Sequence, residues 1–143
     1  MLLPRLRGAS SVPISLDTER MPRLKNVIAI VEDDAAMLKS IERLLGAHDY
    51  ATSPFTTAED FLNSPIRHRT AALILDIQLP GMSGLELARH LLDAGSTIPI
   101  VFITGDEKEA TRREALALGC IDYLQKPFEL KQLIRALEPG RRW

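Results

Sequence analysis

Three stretches of the chain are apolar almost without interruption: "NVIAIV" (26–31), "AALIL" (71–75) and "IPIVFIT" (98–104). Continuous β-prone runs of that length predict strands covered on both faces. Between them the apolar residues move to helical spacing. Met37, Leu38, Ile41, Leu44 and Leu45 share one side of a helix that Asp34 can cap and that runs to about Ala47. "YATSPF" (50–55) reads as a weak edge strand ended by Pro54. Thr56 with Glu59 resembles a capping box for a short helix through Asn63. Ser83 can cap a helix with Leu87, Ala88, Leu91 and Leu92 on its apolar face, closing near Gly95. A helix over 107–118, with Ala110, Leu116 and Leu118 apolar, stops at Gly119. "CIDYLQ" (120–125) is a short strand, and "KPF" turns into a helix carrying Leu130, Leu133, Ile134 and Leu137.

Five strand–helix units over residues 26–138 predict an α/β protein with a parallel sheet and, by right-handed crossovers, helices on both faces. Residues 1–25 break the pattern. Pro4, Gly8, Pro13 and Pro22 punctuate them without periodicity, which predicts a disordered extension. The fold is expected to need nothing before Met21, and residues 139–143 form a short tail.

Composition narrows the class. With 143 residues, one domain is the expectation. At 45% apolar and 26% charged residues, the chain has the make-up of a soluble globular protein. A single cysteine, Cys120, excludes an intrachain disulfide and a thiolate metal cage, and fits a small buried hydrophobe in a reducing compartment. Pro4, Arg5 and Arg7 interrupt any signal-peptide core, and no apolar run approaches the ~18 residues of a membrane helix, so a cytoplasmic location is expected. Residues 1–25 carry net +3 and the remainder therefore −4. A body of that sign is not a phosphate-backbone binder, so no direct nucleic-acid binding is expected.

The chemistry lies at the strand ends, where open α/β sheets bind ligands. The first strand delivers Glu32, Asp33 and Asp34, the third Asp76, the fourth Thr104 and Gly105, and the fifth Lys126 with Pro127. If those strands are neighbours, carboxylates, a hydroxyl and an ammonium converge. Oxygen ligands without His or Cys favour Mg²⁺. Lys126, Thr104 and backbone N–H groups around residues 77 and 105 suit a phosphoryl group. An aspartate ending a buried strand is then placed as a nucleophile that forms an aspartyl phosphate.

At these residues the chain resembles the receiver domain of two-component response regulators. The likeness covers roughly residues 26–138 and rests on "VEDD", "LDIQLPGMSG", "FITG" and "YLQKPF" in that order; the wording is most like receivers that precede helix-turn-helix outputs. The resemblance implies a doubly wound five-stranded parallel sheet of order 2-1-3-4-5. It implies that Asp76 accepts phosphate from a sensor histidine kinase or phosphotransfer protein. Glu32, Asp33 and Asp76 would hold Mg²⁺ with the main-chain carbonyl of Gln78. Glu32 stands where aspartate is more usual, which leaves open whether it acts directly or through water. Lys126 would pair with the phosphoryl group beside a cis Lys126–Pro127 bond, and Thr104 and Tyr123 would be the switch pair. The resemblance also implies an output protein or domain docking on residues 107–137, and allows a homodimer.

Plainer readings stand beside these. Asp34 reads as a helix cap rather than a metal ligand; His48, His68 and His90 as ordinary surface positions; Tyr123 as packing; the charges over 107–114 as a solvated face. An aspartyl phosphohydrolase would want a second acid two residues after its nucleophile, and that position is Gln78, which cannot protonate a leaving group. A binding module with a vestigial pocket fits the intact set of pocket residues poorly. Neither G-x-G-x-x-G nor a Walker-type loop is present for a nucleotide.

Overall fold

Strands and helices alternate from Val27 onward in the computed structural model, which describes residues 26–138. The expectations for 1–25 and 139–143 lie outside the described residues. In chain order the elements are β1 (Val27–Val31), α1 (Ala35–Ala47), β2 (Ala51–Phe55), α2 (Ala58–Leu62), a 3₁₀ turn (Pro65–Arg69), β3 (Thr70–Asp76), α3 (Gly84–Asp93), β4 (Ile100–Thr104), α4 (Glu109–Ala117), β5 (Asp122–Gln125) and α5 (Leu130–Leu137). All sheet pairings are parallel, in the order β2-β1-β3-β4-β5. The expected doubly wound sheet is borne out.

Alternation along the strands builds two cores. Ile28, Ile30, Ala72, Ile74, Val101 and Ile103 face α1 and α5, where Leu38, Ile41, Leu45, Leu133, Ile134 and Leu137 meet them. Ala29, Val31, Leu73, Leu75 and Phe102 face α2, α3 and α4. Because both faces are covered, β1 and β3 are buried at every position. That is why their sequences read as unbroken apolar runs. Asp34 caps α1 as expected, accepting from Ala36 N and Met37 N. Ser83 and Glu86 form a reciprocal capping box on α3.

Four local expectations are corrected. Pro54 lies inside β2 rather than ending it; Phe55 O accepts from Glu32 N, so the neighbouring Pro54 nitrogen faces the open sheet edge, where no donor is needed. The cap of α2 is Thr57, not Thr56, accepting from Asp60 N, and no capping box with Glu59 forms. On α3, Leu92 is 51% exposed, because the buried stripe is Leu87, Ala88 and Leu91. On α4 the fully buried side chain is Ala115, flanked by Thr111 and Leu118 at helical spacing; Ala110 and the 46% exposed Leu116 fall off that stripe. The turn over Pro65–Arg69, capped by Ser64, had no sequence expectation.

Among the described residues, no helix is long and apolar enough to cross a membrane. Leu73, fully buried in β3, and Leu116 provide a test of the core. Leu73→Ala is expected to cost about 2–5 kcal/mol, and Leu116→Ala to stay within about 0.5 kcal/mol. Urea denaturation of the two variants measures this; similar losses would contradict the assigned faces.

Candidate functional site at the carboxyl ends of the strands

Register brings the strand ends level. Val31 pairs with Leu75, Asp76 with Ile103, and Thr104 with Gln125. The next residue along β1 is Glu32, and along β5 Lys126. Four side chains from distant parts of the sequence therefore share one rim, as expected from the sequence. Gly84 lets α3 start directly against that rim: a Cβ there would collide with Asp76 O and lie 2.8 Å from Ile77 Cα.

Glu32 is fully buried, Asp76 is 2% exposed and Thr104 is fully buried. Lys126 Nζ donates to Glu32 Oε1 at 2.8 Å and to Asp76 Oδ2 at 3.1 Å. The other Asp76 oxygen, Oδ1, accepts from Gln78 N at 3.0 Å, and Glu32 Oε2 accepts from Asp34 N at 3.0 Å. Both carboxylates are thereby fixed in orientation. Burial raises the Glu32 pKa and the neighbouring Asp76 adds to this, while Lys126 and the Asp34 amide oppose it. For Lys126, burial pulls the pKa down, but the hydrogen bonds and charges of Glu32 and Asp76 outweigh it and the net shift is upward. The ammonium is the form the site selects.

Glu32, Asp33 and Asp76 each offer an oxygen, and these lie within 4.8 Å of one another. Opposite ligands of an octahedral Mg²⁺ are about 4.2 Å apart, twice the Mg–O bond, so the group is close to the right span. Three carboxylates against one ammonium also leave an excess of negative charge that a divalent cation relieves. The donor set fits. Asp33 is the most accessible of the three, whereas both oxygens of Glu32 and both of Asp76 already have protein partners.

Other expected residues fall as follows. Asp34 is spent on the α1 cap. The peptide Lys126–Pro127 is cis. Ile77 N is already bonded to Ile103 O, so the amide at that position is not free for a phosphoryl group. Thr104 Oγ1 accepts from Asp106 N at 2.9 Å, leaving its own O–H to donate elsewhere. Tyr123 is half-buried on β5 against the core that faces α4; burial and then the Asp106 carboxylate raise its phenol pKa. His48, His68 and His90 are exposed. Cys120 is half-buried against the same core, and its thiol pKa is raised by burial.

Two acids escaped the sequence reading. Asp106 accepts from Lys108 N at 2.8 Å and from Thr111 Oγ1 at 2.9 Å, closing the β4–α4 loop. Its place directly after "FITG" was the available signal. Glu59, read as a cap, instead accepts from Met82 N at 2.8 Å, across 23 residues. No local pattern announces that bond.

Against known proteins, the response regulator receiver domain model matches residues 28–138. The response regulator protein TodT of Pseudomonas putida is 34% identical over 125 residues, which is 87% of this chain and 55% of that protein. The crystal structure of FixJ-N superposes with a TM-score of 0.71 at 35% identity, covering 78% of this chain and 90% of that one. A BeF3-activated DrrB receiver domain gives 0.73 at 26% identity, covering 82% and 97%. The chain spans about half the length of the curated relatives it matches.

The Asp106 loop has a pH signature. Its carboxyl is held below the ordinary aspartate range, first by the Lys108 amide and then by the Thr111 hydroxyl. A depressed folded pKa gives stability that is present above the unfolded value and lost as pH falls through the folded one. Asp106→Ala is therefore expected to be less stable than wild type at pH 7, with the gap shrinking as the pH drops to about 3. Urea midpoints across that range decide it; a constant or widening gap would refute the assignment.

Proposed function

The chain belongs to the response regulator receiver family of two-component signalling, and from that premise we propose that Asp76 is the residue its sensor histidine kinase phosphorylates. The observation that carries this is the holding of one buried carboxylate from two sides, by Lys126 Nζ and by Gln78 N, beside two further acids.

The reaction follows from that placement. A P–O bond forms to an Asp76 oxygen as the P–N bond of the donor's phosphohistidine breaks, and its electron pair returns to the imidazole. Lys126 is close enough to follow the charge from the carboxylate to the phosphoryl oxygens, and charge-assisted hydrogen bonds of that kind are among the stronger ones. Glu32, Asp33 and Asp76, with the Gln78 carbonyl, would hold Mg²⁺. Bound Mg²⁺ would neutralise developing charge on the transferring oxygens. Phosphotransfer and dephosphorylation are self-catalysed in this reading, which makes the domain a switch rather than a turnover enzyme.

Switching starts at Thr104. To reach a phosphoryl oxygen on Asp76 its side chain turns, which carries Oγ1 away from Asp106 N and remakes that bond. Asp106 is tied through Lys108 N and Thr111 Oγ1 to the first turn of α4, and its charge acts on Tyr123. A change at Thr104 is thus delivered to the surface over residues 107–137, where an output domain or partner protein docks. Moving such a two-state surface from 1:99 to 99:1 takes about 5.5 kcal/mol of differential stabilisation. Residues 26–138 form the receiver unit, and the cytoplasm supplies the kinase.

Two measurements test this. Phosphotransfer from candidate kinases is expected to add one phosphoryl group to wild type and none to Asp76→Ala, read by intact mass. With Mg²⁺ and beryllofluoride, amide resonances over 104–126 are expected to shift in wild type, and far less in Thr104→Ala. Label on another side chain would sink the acceptor assignment, and full occupancy with an unchanged 104–126 spectrum would remove the switch.

A further inference from the structure

Glu59 leaves α2 and reaches the loop between β3 and α3, where Oε2 accepts from Met82 N at 2.8 Å. That bond holds its pKa below the ordinary carboxylate range. The other oxygen, Oε1, is buried with no hydrogen-bond partner among the described residues. Its side chain bonds across 23 residues rather than within α2, so its placement is not explained by the stability of that helix. Nor does α2 need Glu59 for its cap, which Thr57 supplies. The helix is anchored elsewhere, by buried Ala58 and by Phe61, whose ring meets Phe55 edge-on at 5.5 Å. Glu59 is therefore a rigidly mounted acceptor aimed at one amide of the loop.

The loop is shaped to receive it. Gly81 has φ +74°, and a Cβ there would lie 2.6 Å from Glu59 Oε2. The backbone angle favours glycine, and a Cβ there would push the Glu59 carboxylate away from Met82 N. Four residues before Met82 the same loop places Gln78 N on Asp76 Oδ1, and Gly84 N closes it back onto Ile77 O at 2.9 Å. We propose that Glu59 is a positioning residue for the phosphoryl-accepting site: by fixing Met82 it fixes the 78–83 loop, and through the loop the Gln78 main chain against Asp76. This rests on the reading of Asp76 as the acceptor. Glu59 touches neither the metal nor the phosphoryl group and acts only through the loop.

The experiment compares the full chain as wild type, Glu59→Ala, Glu59→Gln and Thr57→Ala. Mg²⁺ affinity is measured from amide shifts, phosphorylation by acetyl phosphate from intact mass, and stability in urea. Glu59→Ala is expected to displace the Gln78 amide resonance, weaken Mg²⁺ binding roughly tenfold, as loss of ligand-orienting partners does, and slow phosphorylation. Glu59→Gln keeps an acceptor oxygen for Met82 and is expected to recover most of the affinity. Thr57→Ala loosens the helix start and is expected to lower stability at wild-type Mg²⁺ affinity. Wild-type affinity and an unmoved Gln78 amide in Glu59→Ala would overturn the proposal, as would an equal loss of affinity in Thr57→Ala. A wild type that takes up neither Mg²⁺ nor phosphate at Asp76 overturns both readings; one that does both beside an unaffected Glu59→Ala overturns this one alone.

Discussion

One ammonium shared by two buried carboxylates organises this molecule. Lys126 reaches Glu32 and Asp76 across 94 and 50 residues of sequence, with β1 and β3 adjacent and Lys126 reaching over from beyond β5, past β4. Removing either carboxylate from water would be costly without that cation. Lys126 keeps about a quarter of its side chain exposed, so the charge is compensated without being sealed off. The triad remains net negative, and Asp33 adds a further charge at the accessible side. A site that is stable enough to fold yet still short of positive charge is suited to hold a divalent cation and then a phosphoryl group.

The rest of the fold keeps that rim in place while contributing nothing to its chemistry. Strand alternation gives two apolar layers, one against α1 and α5 and the other against α2, α3 and α4. At the carboxyl ends of the strands they give way to Glu32, Asp76, Thr104 and Lys126, with Ile77 continuing the second layer beneath the loop. A register slip of one residue would turn every inward side chain to the other face, so the packing that stabilises the sheet also fixes the height of each functional group. Site precision is a by-product of core packing.

This explains what could be read from the amino-acid order. The strands announce themselves because burial on both faces demands unbroken apolar runs, and an acid at the end of such a run stands out against the rule that interiors exclude charge. Asp76 is legible for that reason, and the shared rim with Thr104 and Lys126 because they end or follow the next strands. The misreadings share another cause. Glu59 and Thr56 have the right letters for a local capping box, but the cap fell to Thr57 and the acid went to a loop 23 residues away. Leu92 sits beside the apolar stripe of Leu87, Ala88 and Leu91 but only those three are covered, and on α4 the covered side chain is Ala115 rather than Ala110 or Leu116. Spacing along one element tells which residues share a face; which face is covered depends on the neighbours.

The uneven covering of the helices bears on where a signal can travel. Three buried side chains anchor each of α1 and α5, and α3 buries three besides Gly84. Helix α4 is held by Ala115 alone among its fully buried residues, and its exposed face is charged. An element with little apolar area in the core opens at the low end of the free-energy scale, which fits α4 to the moving part in the proposed switch. The chain of contacts from Thr104 through Asp106 to Thr111 ends on that helix. On the opposite side of Asp76, the loop held by Glu59 closes against α3, which is firmly packed. The two loops flanking the proposed acceptor are thus unequal: one is tied to a fixed support and can orient the carboxylate, and the other is tied to a helix with little anchorage in the core and can report its change of charge.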